Sequence, residues 1–235
     1  GDSITARGEW VKYFNEIIQP ELYVNIAVCG ATWQDRDNTK YDGNPIFDIN
    51  DYTNNTICNQ VEKILRGKDK SHMNYCCNKD YSDFDVIIVS AGTNDVEVHS
   101  MLEIDEINEQ FVDADRNIVL LEKTDRKTWA GAMRYTYEKL RYLYPEAAIF
   151  FCSPIQAAET RRSYKSIELK SQIIKSICDR ISDVCFIDTF KCGICGIYEY
   201  KELNGRDLID GLHPNTSGAK KIALYNAREV KKFFI

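Results

Sequence analysis

Histidine is scarce in this chain, with three residues in 235. Any chemistry that needs an imidazole therefore has few candidates, and each can be weighed by its neighbours. Proline is sparse too, at five, and no linker, low-complexity tract or internal repeat interrupts the sequence. One domain over residues 1–235 is expected. No apolar run approaches the roughly 18 residues that cross a bilayer, so no integral membrane segment is expected. Positive charge is in deficit, 30 Lys and Arg against 36 Asp and Glu, a formal net charge of −6. That balance disfavours broad attraction to nucleic acid or anionic lipid, and no nucleic-acid partner is expected. A Gly-rich phosphate cradle is missing after every strand-like run, which argues against a bound cofactor.

What is present has the balance of a soluble globular chain, 44% hydrophobic and 28% charged. Cysteine is abundant, at nine. Cys29, Cys152, Cys178 and Cys185 sit in or beside apolar runs, where a free thiol acts as a small hydrophobe. Cys58, Cys76, Cys77, Cys192 and Cys195 lie in more polar surroundings and are candidates for pairing in an oxidising compartment. "CGIC" at 192–195 lacks a second pair at zinc-like spacing, so no metal site is expected. No signal-peptide pattern opens the sequence, and the compartment, cytoplasmic or exported with a signal removed, stays open.

Four short apolar runs read as buried strands: residues 21–30, 84–92, 147–154 and 183–190. Such continuous runs suit parallel strands covered on both faces. Helical periodicity fills the spaces at 8–20, 127–145, 163–182 and 216–234, with a short helix near 103–112. Asn215 is placed to cap the last helix. Alternating strands and helices predict an α/β fold with a mainly parallel sheet, since parallel pairs need a helical crossover. Two long polar segments, 31–55 and 95–126, follow strand ends, where open α/β sheets bind ligands.

The reactive side chains fall near those strand ends. "DGLHPN" places Asp210 three residues before His213, a spacing that brings a carboxylate to one ring nitrogen and leaves the other as a base. Asp210–Gly211 alone is ordinary turn chemistry, and so is "GTND" at 92–95. His72 lies in a polar stretch with no carboxylate at useful spacing. His99 follows "GTND" closely and is a candidate pocket residue, as is Trp33, three residues after Gly30.

In order along the chain, "GDSI", "NIAVCG", "AGTND" and "DGLHPN" resemble the four sequence blocks of the SGNH hydrolases, also called the GDSL lipase/acylhydrolase family. The resemblance spans nearly the whole chain and implies the SGNH hydrolase fold, a flavodoxin-like three-layer sandwich around a mainly parallel central sheet, and a serine esterase without metal or cofactor. It implies Ser3 as nucleophile, His213 as base and Asp210 as the acid that orients it. Ser3 N–H, Gly30 N–H and the Asn94 side chain become the oxyanion donors. Bottom-up chemistry agrees, since a serine hydroxyl is a poor nucleophile until a base takes its proton, and an oxyanion needs preorganised donors.

The sequence departs from the family at its start. Members reach the serine from a hydrophobic first strand, and this sequence begins at the motif itself. The expectation is that upstream residues are missing and that Ser3 is displaced as a result. The expected substrate is a small acyl ester, with O-acetyl groups on carbohydrate favoured by the Asn/Asp/Tyr-rich segment 31–55. The alternatives are lipase, lysophospholipase or aryl-esterase activity, or a binding domain that keeps the fold without turnover.

Overall fold

The computed structural model describes residues 1–35, 55–69, 81, 83–95 and 104–234. Among these residues the β-branched and aromatic runs form three strands: β1 (Val86–Ser90), β2 (Ala148–Cys152) and β3 (Cys185–Ile187). They pair in the order β1-β2-β3 and both pairings are parallel, with Ser90 opposite Cys152 and Cys152 opposite Ile187. Among the described residues, seven α-helices surround them: α1 (Ser3–Ala6), α2 (Glu9–Ile18), α3 (Ile57–Asp69), α4 (Ile104–Glu109), α5 (Trp129–Leu143), α6 (Tyr164–Ile181) and α7 (Thr216–Phe233).

Period-two alternation in β2 divides the core into two clusters. Ala148, Phe150 and Cys152 pack with Trp10 and Phe14 of α2 and with Ile222, Ala223 and Val230 of α7. Ile149 and Phe151 point the other way, against Val61 of α3, Met133 and Leu140 of α5 and Ile173, Ile174 and Ile177 of α6. The sheet is thus the middle of three layers, the α/β sandwich expected of the sequence. Each β2 phenylalanine is at most 1% exposed, and burying such a ring contributes roughly 1.5–3 kcal/mol.

Helices α5, α6 and α7 start at side-chain caps that fix where the chain turns. Thr128 Oγ1 accepts from Gly131 N at 3.0 Å, Ser163 Oγ from Ser166 N at 3.2 Å, and Asn215 Oδ1 from Ser217 N and Gly218 N at 2.8 and 3.1 Å. Helix α3 was not anticipated, although Ile57, Val61, Ile64 and Leu65 carry its apolar stripe.

The strand expected at 21–30 does not form. Residues 22–28 have no ladder pairing. Asn25 turns its side chain onto its own backbone, Oδ1 accepting from Ala27 N at 3.0 Å, while Nδ2 donates to Thr5 O at 2.8 Å. Local side-chain bonds of this kind compete with a ladder. The seven cysteines among the described residues are all free, so Cys58, Cys192 and Cys195 do not pair there. Cys58 is buried, its thiol 3.5 Å from the Ala132 carbonyl. Cys29, expected as a packed hydrophobe, is exposed. Cys76 and Cys77 lie outside the described residues.

Candidate active site

Backbone ties bring four distant loops to one end of the sheet. Asp2 N donates to the carbonyl of Ser90, the last residue of β1, at 3.1 Å. On its other side Gly1 O accepts from Val28 N at 3.0 Å. Gly1 and Asp2 are therefore pinned between the end of the 22–28 segment and the end of β1. The expected displacement of Ser3 does not occur, because these two bonds fix the residues immediately before it. Asp2 then caps α1, its Oδ1 accepting from Ile4 N at 3.0 Å, and Ser3 opens the helix at 7% exposure. Burial pushes the Asp2 carboxyl up from the usual range.

The second loop turns at Gly30, whose φ of +80° favours glycine. Ala31 N closes the turn on Val28 O at 3.2 Å. The Asn94 amide donates to Ala31 O at 3.1 Å, which ties the third loop to the second. Asp95 strengthens that tie with two bonds, its carboxylate accepting from Trp33 N and Gln34 N, both at 3.1 Å. Asp95 is 2% exposed; burial dominates and pushes its carboxyl up to about 6, against the pull of the Gln34 and Trp33 N–H groups. Lys170 of α6, also buried, is the nearby cation, and burial lowers its ammonium to about 8.

The fourth loop supplies the imidazole. His213 Nδ1 lies 2.8 Å from Asp210 Oδ2, and His213 Nε2 lies 3.0 Å from Ser3 Oγ. Asp210 Oδ1 accepts from the backbone N–H of His213 at 2.8 Å and of Leu212 at 3.1 Å. Burial alone would raise the Asp210 carboxyl. The bonds from the His213 backbone and ring, with the Leu212 N–H, outweigh it and hold the group down at about 2. An ionised Asp210 accepts from Nδ1–H, so Nε2 presents its lone pair to the Ser3 hydroxyl. The neighbouring Gly211 has φ +72°, and a Cβ there would stand 2.7 Å from Ala158 Cβ.

Glu199 and Asp207 brace this loop from behind, roles that the sequence motifs did not announce. Glu199 accepts from Asp207 N at 2.9 Å and Leu208 N at 2.8 Å. Asp207, fully buried, accepts from Ser217 Oγ at 2.7 Å and Lys221 Nζ at 2.6 Å on α7. Its own carbonyl accepts from Asn215 N at 2.9 Å.

Ser3, at the start of α1, and Gly30, Asn94, Asp210 and His213, on loops, thus sit on segments tied to one another. Trp33 does not join them as a pocket wall. It is 0% exposed and packs on Phe151 with ring centroids 5.1 Å apart, so it belongs to the core. Its place three residues after Gly30 made it a pocket candidate; Asp95 holds its backbone N–H, and the ring lies in the core. His72 and His99 lie outside the described residues. Among the described residues no group of three or more His, Cys, Asp or Glu is placed to hold a metal ion, and no helix is long and apolar enough to cross a membrane.

No curated protein sequence matches this chain significantly. Several solved structures share its fold. A possible lipase from Chitinophaga pinensis DSM 2588 is similar at 16% identity and TM-score 0.58, over 100% of this chain and 96% of that one. A protein from Lactobacillus plantarum is similar at 18% identity and TM-score 0.55, over 100% and 93%. Est24, a carbohydrate acetylesterase from Sinorhizobium meliloti, is similar at 14% identity and TM-score 0.52, over 96% and 85%. The sequence model of one family extends over residues 1–221, from the serine motif through the histidine motif and into α7. By that match the chain belongs to the GDSL-like lipase/acylhydrolase family and is a carboxylic ester hydrolase.

Proposed function

We propose that this protein is a serine esterase that removes small acyl groups through an acyl-enzyme, with O-acetylated carbohydrate as its substrate class. The observation that carries the proposal is the relay Asp210–His213–Ser3, with links of 2.8 and 3.0 Å. His213 Nε2 takes the Ser3 proton as Oγ attacks the acyl carbon, and Asp210 stabilises the imidazolium that forms. The tetrahedral oxyanion is held by Ser3 N–H, Gly30 N–H and the Asn94 amide. One Asn94 N–H is anchored on Ala31 O, and the other is assigned to the oxyanion. Collapse expels the alcohol with the proton from His213. Water then attacks the acyl-enzyme, again through His213, and releases the acid.

The carbohydrate reading draws on the polar, Tyr-containing segment 31–55, most of which lies outside the described residues, and on the acetylesterase named among the structural neighbours. A second reading, short lipid-like or aryl esters, is favoured by the exposed side chains of Ile197, Tyr198, Tyr200 and Leu203. They belong to the loop whose Tyr200 carbonyl abuts Gly211. Initial rates on acetylated sugars and on aryl esters of two and eight or more acyl carbons separate the two. The wild type should hydrolyse p-nitrophenyl acetate and Ser3→Ala should not. Equal rates for the two proteins would leave only a binding domain.

A further inference from the structure

Two consecutive arginines, Arg161 and Arg162, end the connection from β2 to α6, and each guanidinium reaches a different loop of the site. Arg161 Nε donates to the Asp210 carbonyl at 3.0 Å. Arg162 Nε donates to the Thr93 carbonyl at 3.1 Å, and its Nη1 donates to the Arg161 carbonyl at 2.8 Å. Among the described residues neither arginine forms a salt bridge; the bonds run to main-chain oxygens. The connection that carries them is itself fixed. Ala158 N donates to Gly211 O at 2.7 Å, and Ala158 O accepts from the backbone N–H of Arg161 and Arg162 at 2.8 and 3.0 Å. The Ser163 cap then delivers the chain into the 18-residue α6, whose Ile167, Ile173 and Ile174 are buried.

We propose that Arg162, braced by Arg161, is a positioning residue: it holds the peptide that leads into Asn94 in register with the loop that carries Asp210 and His213. The Thr93 carbonyl belongs to the planar peptide group that ends at the Asn94 nitrogen. Fixing that oxygen therefore fixes the base from which the Asn94 side chain extends. The other arginine grips the Asp210 carbonyl, so the oxyanion donor and the acid–base pair are referred to one rigid support. The planar guanidinium fork suits this work, since two of its donors reach two carbonyls at once, which an ammonium on a flexible stem does not reproduce. This inference rests on the esterase assignment of Asn94 and His213.

The test is a double-mutant cycle on p-nitrophenyl acetate hydrolysis, with kcat, KM and Tm measured for wild type, Arg162→Ala, Asn94→Ala, the double variant and Arg162→Lys. Arg162→Ala should lower kcat about 30-fold, within the range that displacement of a positioned group produces, with KM changed less than about twofold. In the Asn94→Ala background the same change should lower kcat less than about threefold, because the group it positions is gone. Arg162→Lys should recover only a small part of the loss. Should Arg162→Ala not fold, Arg162→Lys enters the cycle in its place. The inference is overturned if the loss is undiminished in the Asn94→Ala background, if KM rises while kcat holds, or if Lys restores full activity. If Asn94→Ala itself keeps full activity, the oxyanion assignment falls and this inference with it. A crippled Asn94→Ala beside an unaffected Arg162→Ala sinks the inference alone.

Discussion

Asp210→Asn changes one atom pair and should nearly abolish turnover, and the structure says why. Asp210 Oδ1 accepts two backbone N–H groups, from His213 and Leu212, and Oδ2 accepts the ring Nδ1–H. An asparagine offers one acceptor oxygen and one NH2 donor in the same space. If its oxygen serves the two backbone donors, the NH2 faces Nδ1, and the ring must place its proton on Nε2. Nε2–H then donates toward Ser3 Oγ and cannot remove its proton. The opposite orientation keeps the correct tautomer but sets the NH2 against two backbone donors. Leaving two partly buried groups without acceptors costs about 1–3 kcal/mol each. The wrong tautomer therefore prevails, and kcat should fall about 10³–10⁴-fold, the scale seen when a triad aspartate loses its charge. Initial rates on p-nitrophenyl acetate at saturating substrate measure it, with KM changed little. A variant within tenfold of wild type would refute the tautomer argument.

The same substitution has a pH signature in stability. The Asp210 carboxyl is held near 2 in the folded protein, below its ordinary value of 3.8. A depressed carboxyl stabilises the fold above its unfolded pKa and loses that contribution as pH falls through the folded value. The side chain is 32% exposed, so after discounting for solvent the contribution is about 1 kcal/mol. The Tm gap between wild type and Asp210→Asn should shrink as pH falls from about 4 to 2.

Three further outcomes follow from the geometry. Asn94→Ala removes the proposed oxyanion donor and the tie to Ala31, and should lower kcat about 10²–10³-fold at nearly constant KM, read on the same ester. Asp95→Asn removes a buried charge whose carboxyl is raised from 3.8 to about 6. Ionising such a group opposes folding, so wild-type stability should fall, relative to the variant, as pH rises from 3.8 through 6; a calorimetric Tm gap that ignores pH would contradict this. Gly211→Ala forces a Cβ at φ +72° within 3.0 Å of the Tyr200 carbonyl, and should destabilise by about 1–3 kcal/mol in denaturant titration.

The sandwich was legible because its central strands are continuous apolar runs and its long helices carry clean stripes and caps. β2 and helices α5, α6 and α7 fall within a residue or two of where periodicity puts them. The run at 21–30 misled because composition shows apolar content and does not show pairing. Its Asn25, mid-run, was the polar signal that a local turn competes with a ladder. Trp33 misled in a different way, since proximity to Gly30 in sequence says nothing about which way a ring turns. Its ring packs on Phe151, more than a hundred residues away in sequence, while Asp95 holds its backbone N–H.

That last case marks the general division. Ser3, Asn94, Asp210 and His213 are nominated because four short motifs, each ordinary alone, stand in the order of the blocks they resemble. The groups that bring them together act on main-chain atoms: Asp95 on Trp33 and Gln34, Glu199 on Asp207 and Leu208, Arg162 on Thr93. Their partners carry no side-chain signature, so no spacing rule exposes them. Such supports nonetheless decide the rate, because an oxyanion donor or a base displaced by about 1 Å loses about 10²-fold. Substitutions at Asp95, Glu199 or Arg162 should therefore lower kcat while the nucleophile, base and acid all remain in the sequence.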